Sequence, residues 1–239
     1  MAVGVAARPV KADPRLIVAL DLASRAEAED LVERLGDAVA FYKIGLQLLA
    51  MGGAETALSL KRAGRKVFLD WKLHDIGATV EKATAAIAAS GAGDFLTVHA
   101  EPQVLAAAVR GRAGAPLKVL GVTVLTSLAD ADLAQIGYAT SVVNLVERRV
   151  RQALEAGADG VIVSPREAAL ARRIGGPNFL VVTPGVRPAW AGRDDQARAE
   201  TPAYALGQGA SHIVCGRPVT AADDPRAAAF AIAAEMAKG

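Results

Sequence analysis

Residues 63–70 read Ala-Gly-Arg-Lys-Val-Phe-Leu-Asp, so a glycine stands shortly before a continuous apolar run. A glycine at the end of a helix supplies the left-handed backbone conformation that closes the helix. An apolar run of this length is typical of a strand that is covered on both faces, as in a parallel sheet. The same unit recurs around Gly91, Gly157 and Gly209. The pattern therefore predicts helices that alternate with parallel strands.

Eight short runs of strand character extend this unit over the whole chain. They cover residues 16–20, 40–44, 66–70, 95–99, 118–124, 160–164, 179–183 and 211–215, with helical patterns between them. Eight strands with interleaved helices favour a closed barrel over an open sheet, and no Gly-x-Gly-x-x-Gly follows the first run to indicate a dinucleotide-binding domain. We therefore predict one α/β domain, a single (β/α)8 TIM barrel over residues 1–239, with residues 1–14 as a flexible N-terminal extension.

Composition and charge argue against several classes of protein. The chain is 52% hydrophobic and 4% aromatic with a net charge of +2, which suits an aliphatic core. The densest basic cluster, Arg148, Arg149 and Arg151, is expected to be a solvated helix face, so we expect no nucleic-acid partner. The single cysteine, Cys215, is expected to be buried in a strand; it allows no intrachain disulfide and indicates a reducing compartment. No apolar run is long enough for a membrane helix, so we expect a cytoplasmic protein with no membrane partner.

Charged residues follow the predicted strands at their carboxyl ends, where a barrel of this kind builds its active site. Asp21, Lys43, Asp70 and Lys72 lie at such ends, and Asp75 follows closely. Asp70 and Lys72 are two apart on a strand, so both side chains are expected on the face that leads into the barrel mouth. An Asp-x-Lys pair alone is usually a structural ion pair. With Lys43 and Asp75 nearby, it predicts an alternating Lys-Asp-Lys-Asp set whose opposite charges keep one another ionised.

One segment of the chain resembles a known enzyme family. Residues 70–76, Asp-Trp-Lys-Leu-His-Asp-Ile, match the Asp-x-Lys-x-x-Asp-Ile motif of orotidine 5′-monophosphate (OMP) decarboxylases. Four further blocks agree in order: Val-Ala-Leu-Asp at 18–21, Tyr-Lys-Ile-Gly at 42–45, Thr-Pro-Gly-Val-Arg-Pro at 183–188 and Val-Cys-Gly-Arg-Pro at 214–218. The resemblance covers almost the whole chain. It implies a barrel enzyme that converts OMP to UMP, in pyrimidine nucleotide synthesis, without a cofactor or a metal ion.

The resemblance also implies roles for individual residues. Lys72 would protonate C6 of the pyrimidine as carbon dioxide leaves, and Asp70 would lie against the departing carboxylate and hold Lys72 in place. Asp21 and Lys43 would bind the ribose hydroxyls, and Thr126 would meet the amide edge of the base. The chemistry is thus expected at the mouth of the barrel.

A separate group of residues is expected to bind the phosphate. Gly216 would let the backbone approach an anion closely, and Arg217 offers a guanidinium for a bidentate contact at the end of the last strand. Pro184 is expected to line the site. Arg187 and Gln196 lie in the long connection after it, which is predicted to be a lid. In the family such a loop closes over the phosphate, and its glutamine bridges phosphate and base.

Asp75, Ile76 and Thr79 follow the strand that carries Lys72. The resemblance implies that they reach into the active site of a partner subunit. We therefore expect a homodimer with shared active sites.

Two other functions fit part of the pattern. 3-Keto-gulonate-6-phosphate decarboxylases share the Asp-x-Lys-x-x-Asp motif and use a magnesium ion, but the block at 183–188 followed by Asp195 and Gln196 resembles the OMP enzymes. A barrel that only binds a phosphorylated ligand is the other alternative. Such a binder would gain little from placing Lys72 and two carboxylates together, because their desolvation costs several kcal/mol.

Overall fold

The computed structural model describes residues 12–191 and 200–239. Eight parallel strands close into a barrel in which each strand pairs with its neighbours in sequence and the last pairs with the first. The strands are β1 Leu16–Ala19, β2 Phe41–Ile44, β3 Lys66–Leu73, β4 Phe95–His99, β5 Lys118–Val122, β6 Gly160–Ile162, β7 Leu180–Thr183 and β8 His212–Cys215. The helices in this part of the chain are α1 Arg25–Leu35, α2 Leu46–Leu49, α3 Gly53–Arg62, α4 Gly77–Ser90, α5 Pro102–Gly111, α6 Asp130–Gln135, α7 Val142–Glu155, α8 Ala168–Gly175, α9 Pro202–Gly207, α10 Arg217–Thr220 and α11 Pro225–Met236. The predicted (β/α)8 fold is confirmed.

Each predicted strand run contains one strand of the barrel. β4 has the predicted bounds, and the ends of the other strands differ from the prediction by three residues at most. The largest difference is in β3, which continues to Leu73 although the pattern predicted an end at Asp70. An apolar run locates a buried parallel strand because both faces of such a strand are covered. The run does not show where the strand ends, because the strand can continue through polar residues at the barrel mouth.

The glycines of the repeated unit hold the predicted left-handed conformation. Gly64, Gly91, Gly157 and Gly209 have φ angles of 72°, 64°, 76° and 91°. A side chain is disfavoured at such angles, so glycine stands where a helix ends and the chain turns back into the barrel. At these four turns the chain enters β3, β4, β6 and β8.

Two apolar layers cover the strands. Inside the barrel lies a small cluster of buried side chains that includes Phe41, Phe68 and Phe95. The ring centroids of Phe41 and Phe95 are 5.0 Å apart. A larger cluster lies between the outer face of the strands and the helices, with Leu69 among its members. Because strand residues alternate between the two layers, the inward Phe68 places Asp70, two residues on, at the mouth of the barrel.

One interpretation of the charge pattern was wrong. Arg148 and Arg151 are exposed on α7, as expected of a solvated face, but the Arg149 side chain is only 12% exposed. Its guanidinium donates to the carbonyl oxygen of Thr123 and to a carboxylate oxygen of Glu101, the latter at 3.0 Å. Arg149 therefore connects α7 to the segments that follow β4 and β5. It points towards the barrel because it lies on the buried face of this amphipathic helix, whereas Arg148 and Arg151 lie on the exposed face.

β8 carries two titratable side chains, of which Cys215 is buried and His212 is half-buried. Cys215 is fully buried, as predicted, and burial raises the pKa of its thiol to about 12. His212 lies at the other end of the strand, with ring centroids 5.8 Å from Phe41 and 5.2 Å from Phe95. Burial lowers the pKa of His212 to about 4. Both groups are therefore neutral parts of the core at neutral pH.

The described chain enters the barrel through a turn. Asp13 accepts hydrogen bonds from the Arg15 backbone N–H at 2.9 Å and from its guanidinium at 2.8 Å. Residues 1–11 of the predicted extension lie outside the described residues. In residues 12–191 and 200–239 no helix is both long enough and apolar enough to cross a membrane.

Candidate active site

A cavity of about 600 Å³ opens at the carboxyl end of the barrel. This volume lies within the range of small-ligand sites. Nine of the predicted site residues line the cavity: Asp21, Lys43, Asp70, Lys72, Thr126, Pro184, Arg187, Gly216 and Arg217. They follow or end six different strands, so closure of the barrel brings them together.

Four charged side chains form a continuous row in this cavity, which we call the charge row: Asp21, Lys43, Asp70 and Lys72. Lys43 Nζ lies 2.9 Å from Asp21 Oδ1 and 3.4 Å from Asp70 Oδ2. Lys72 Nζ lies 2.8 Å from Asp70 Oδ1. Within one chain the alternation of charges therefore runs from Asp21 to Lys72.

Asp70 is the shielded centre of the charge row. Its side chain is 14% exposed, whereas that of Asp21 is 49% exposed. Burial opposes ionisation of Asp70, but the charges of Lys43 and Lys72, together with two hydrogen bonds, outweigh it and hold the pKa of this carboxyl below its ordinary value. Asp70 is therefore ionised at neutral pH and carries the negative charge between the two ammonium groups.

β3 is irregular where it carries Asp70 and Lys72. Residues 69–73 of β3 lie opposite residues 96–98 of β4, so the register of the pair shifts between them. Lys72 has a φ of 48°, a left-handed value that residues with a side chain rarely adopt. Trp71 packs outward against the helical layer. An irregularity of this kind re-aims side chains and is common beside active sites.

Two residues beside the charge row were missed by the sequence analysis. Thr97 is buried on β4, and its hydroxyl donates to Asp70 Oδ1 at 3.0 Å. A Cβ built on Gly45 would lie 2.5 Å from Asp21 Oδ1 and 2.8 Å from Lys43 Nζ. The signal for Thr97 was a polar residue at an inward position of an apolar strand. Gly45 was named only as part of the block at 42–45, because its close approach involves groups from two strands and cannot be recognised from one of them.

Two arginines line the cavity besides the charge row. Arg217 is exposed and begins α10 directly after β8. Arg187 is 7% exposed, and its backbone N–H donates to the carbonyl oxygen of Glu200 at 2.9 Å. This bond and a β-bridge between Val186 and Glu200 join the two ends of the connection that was predicted to be a lid. Gln196, the remaining predicted residue of that connection, lies outside the described residues.

Three predicted site residues do not line the cavity of their own chain. Asp75, Ile76 and Thr79 are exposed, and Ile76 is 70% exposed. The Asp75 carboxylate accepts a hydrogen bond from the Ile76 backbone N–H at 2.6 Å. Within residues 12–191 and 200–239 it forms no ion pair with a lysine. The chain therefore leaves these side chains on its surface, beside the mouth that carries Lys72.

The rim beyond β4 brings two histidines together. The ring centroids of His74 and His99 are 4.7 Å apart, and burial lowers the pKa of His99. His74 Nε2 lies 3.7 Å from a carboxylate oxygen of Glu101. No three His, Cys, Asp or Glu side chains in the described part of the chain are arranged to hold a metal ion.

The cavity itself offers the Lys72 ammonium group beside the Asp70 carboxylate. This pair suits proton delivery and the stabilisation of negative charge.

Comparison with known proteins agrees with the fold and with the motif. Residues 14–232 match the model of the family described as "Orotidine 5'-phosphate decarboxylase / HUMPS family". The chain belongs to this family. It is 64% identical over 228 residues to a protein of Caulobacter sp. named orotidine 5'-phosphate decarboxylase, which covers 95% of this chain and 99% of that protein. It is 55% identical over 230 residues to a protein of the same name from Methylorubrum extorquens, with 95% and 98% covered.

A solved structure of a relative has the same fold. The crystal structure of orotidine 5'-phosphate decarboxylase from Lactobacillus acidophilus is similar to this chain with a TM-score of 0.82 and 38% sequence identity. The similarity covers 94% of this chain and 99% of that one. The family resemblance stated from the sequence motifs is thus confirmed over nearly the full length.

Proposed function

We propose that this chain is an orotidine 5′-monophosphate decarboxylase, a single-domain cytoplasmic enzyme that converts OMP to UMP in the last step of pyrimidine nucleotide synthesis. The observation that carries the proposal is Lys72 Nζ, held 2.8 Å from Asp70 in a cavity that two arginines also line. Family membership and the shared name of relatives more than half identical to the chain support it. The buried single cysteine suits a reducing compartment.

The proposed reaction needs one proton and no electron acceptor. The bond between C6 and the carboxylate of OMP breaks, carbon dioxide leaves, and the bonding electron pair stays on C6. Lys72 gives an ammonium proton to C6, which forms the C–H bond of UMP, and Lys72 regains a proton from water. Because the oxidation states balance without a co-reactant, the step requires no redox cofactor.

The charge row suits the carbanion that forms at C6. Lys43 and Lys72 place two positive charges beside one shielded carboxylate, and the Lys43 side chain is 9% exposed. Fixed charges in a partly dehydrated site stabilise a developing anion strongly because they need not reorganise. The charge of Asp70 would also repel the substrate carboxylate, but its two lysine partners already compensate that charge. We therefore take stabilisation of the carbanion as the larger contribution, and repulsion in the bound substrate as the smaller one.

Binding of the nucleotide is proposed to be separate from the chemistry. Asp21 and Lys43 would hold the ribose hydroxyls, and Thr126 would meet the base. The phosphate would lie at the end of β8, where Arg217 offers a bidentate guanidinium. The other residues proposed to bind substrate from this chain are Pro184, Arg187, Gln196 and Gly216.

Replacement of Lys72 tests the proposal. Lys72→Ala should abolish OMP decarboxylation, followed by absorbance in the presence of EDTA, while UMP binding measured by calorimetry survives. Lys118→Ala is the matched control, because Lys118 also pairs with an aspartate, Asp159, at 3.0 Å, but at the start of β5. Turnover near the wild-type rate in Lys72→Ala would contradict the role of Lys72. Loss of wild-type activity on chelation would instead favour the magnesium-dependent sugar-phosphate decarboxylase.

We also propose that the active site is shared between the two subunits of a homodimer. Asp75 lies outside its own cavity, and the apolar side chains of Ile76, Leu46 and Met51 are 70%, 56% and 51% exposed. A partner surface would cover such side chains. Asp75, Ile76 and Thr79 would then complete the site of the other subunit, and Asp75 would extend the charge row beyond Lys72.

Mixed dimers test the shared site. Inactive Lys72→Ala and Asp75→Ala proteins are unfolded and refolded together in equal amounts, so that about half of the dimers are mixed. In each mixed dimer one site has both residues intact and the other has both lesions, so about a quarter of wild-type sites should return. A mixture of Lys72→Ala and Asp70→Ala is the control and should stay inactive, because both residues belong to one chain's cavity. A first mixture as inactive as its parents, with subunit exchange demonstrated, would place Asp75 in its own chain's site.

A further inference from the structure

A ring of hydrogen bonds through Thr97 links the backbone N–H of Lys72 to the ammonium group of the same residue. The backbone N–H of Lys72 donates to Thr97 Oγ1 at 3.0 Å. The Thr97 hydroxyl donates to Asp70 Oδ1 at 3.0 Å. Lys72 Nζ donates to the same oxygen at 2.8 Å. The three bonds form a closed ring through Lys72, Thr97 and Asp70.

The chemistry of these groups allows the ring only one direction. A backbone N–H can only donate, so Thr97 Oγ1 must accept from Lys72 and its single proton is left for Asp70. Asp70, ionised between two lysines, can only accept. Thr97 is fully buried, so water does not compete for its hydroxyl. Each group in the ring therefore has the partner that its chemistry requires.

The ring lies where β3 departs from regular pairing. Residues 69–73 of β3 lie opposite residues 96–98 of β4, and Thr97 is the middle residue of that shorter segment. The Lys72 N–H therefore meets a side-chain oxygen on β4. Lys72 also has the left-handed φ of 48°, a conformation that persists only when its surroundings hold it. The hydrogen bond to Thr97 is one contact that holds it.

We infer that Thr97 is a positioning residue that sets where the Lys72 ammonium group stands for proton transfer, an inference that rests on the proposed function. Thr97 holds the backbone of Lys72 directly and its ammonium group through Asp70. Proton transfer to carbon requires donor and acceptor at close range and in a fixed direction, so loss of this support should slow the chemical step more than it weakens binding. The ribose and phosphate contacts proposed above do not involve Thr97.

The test compares three variants of full-length protein. Thr97→Val keeps the shape of the side chain but removes the hydroxyl, and Thr97→Ser keeps the hydroxyl. Thr123→Val is the matched control, because Thr123 is 1% exposed and its hydroxyl donates to the Ile162 carbonyl oxygen at 2.7 Å, outside the charge row. For each variant, kcat and KM for OMP are measured across pH, together with the melting temperature. The titration midpoint of the Asp70 carboxyl is measured by carbon-13 NMR, with Asp70→Asn to assign the signal.

We expect Thr97→Val to lower kcat by roughly ten- to a hundredfold, the range for a lost hydrogen bond to a charged group, with a smaller change in KM. The acidic limb of the kcat profile and the Asp70 midpoint should both move to higher pH, because a hydrogen bond to the ionised form has been removed. Thr97→Ser should restore both. Thr123→Val should change neither, whatever its melting temperature. Should Thr97→Val not fold, Thr97→Ala is measured in its place.

Two results would overturn the inference. One is a Thr97→Val protein with the kcat and Asp70 midpoint of the wild type. The other is Thr97→Ser as impaired as Thr97→Val, with losses of kcat in both that scale with their loss of melting temperature, which would leave Thr97 a purely structural residue. Absence of OMP turnover in the wild type would overturn the proposed function instead. The NMR midpoint of Asp70 would still decide whether Thr97 supports the pair.

Discussion

Replacement of Gly45 by alanine is expected to disturb the first pair of the charge row. An added Cβ would lie 2.5 Å from Asp21 Oδ1 and 2.8 Å from Lys43 Nζ. The backbone of Gly45, with φ of −88° and ψ of −175°, suits any residue, so the effect should be steric alone. The Lys43 side chain is 9% exposed and that of Asp21 is 49% exposed. Asp21 is therefore the group with room to move.

The size of the effect follows from these distances. A comfortable contact to carbon lies near 3.5 Å, so the Asp21 carboxylate must retreat by about 1 Å, which breaks its 2.9 Å hydrogen bond from Lys43. A shift of about 1 Å in a positioning group can cost on the order of a hundredfold in rate. Because the pair is proposed to bind ribose, we expect kcat/KM for OMP to fall by roughly ten- to a hundredfold, mainly through KM. The contact between Lys72 and Asp70 should remain.

The assay is the loss of OMP absorbance at several substrate concentrations. Gly207→Ala is the control, because a Cβ added to Gly207 on α9 meets nothing within 4 Å. Both variants should melt close to the wild-type temperature, since the half-exposed Asp21 contributes little to stability. A Gly45→Ala enzyme with the kcat/KM of the wild type would contradict this prediction, because the Asp21–Lys43 pair would then tolerate displacement without loss of binding.

Three further predictions concern the phosphate site and stability. Arg217→Ala should weaken UMP binding in calorimetry by roughly 2 to 3 kcal/mol with little loss of kcat, and unchanged affinity would move the phosphate site elsewhere. The pKa of His212, which burial lowers from 6.5 to about 4, means that the unfolded chain takes up a proton first as pH falls. The free energy of unfolding in urea should therefore fall as the pH drops from 6.5 to about 4. A His212→Gln variant lacks this proton uptake, so its loss over that range should be smaller than that of the wild type by roughly 3 kcal/mol. Arg149→Ala should cost roughly 2 to 4 kcal/mol of unfolding free energy because the partly buried Glu101 loses its donor, whereas exposed Arg148→Ala should change stability by less than about 0.5 kcal/mol.

Local patterns were enough to predict the order of the elements and the four members of the charge row. A buried parallel strand needs a continuous apolar run, and a turn such as that at Gly64 needs a left-handed residue, so both can be recognised from a few neighbouring residues. Lys43, Asp70 and Arg217 were assigned correctly to the mouth because all parallel strands of a barrel present their carboxyl ends at one side.

Contacts between strands depended on the folded barrel as a whole. Thr97 meets Asp70 because β3 shifts its register against β4, and neither strand alone reveals that shift. Gly45 approaches Asp21, and Arg149 turns inward, through the way separate elements pack. Strand formation and helix termination are settled by a handful of adjacent residues. Distances across a barrel depend on the tilt and stagger of all eight strands together, so they exist only once the barrel has closed.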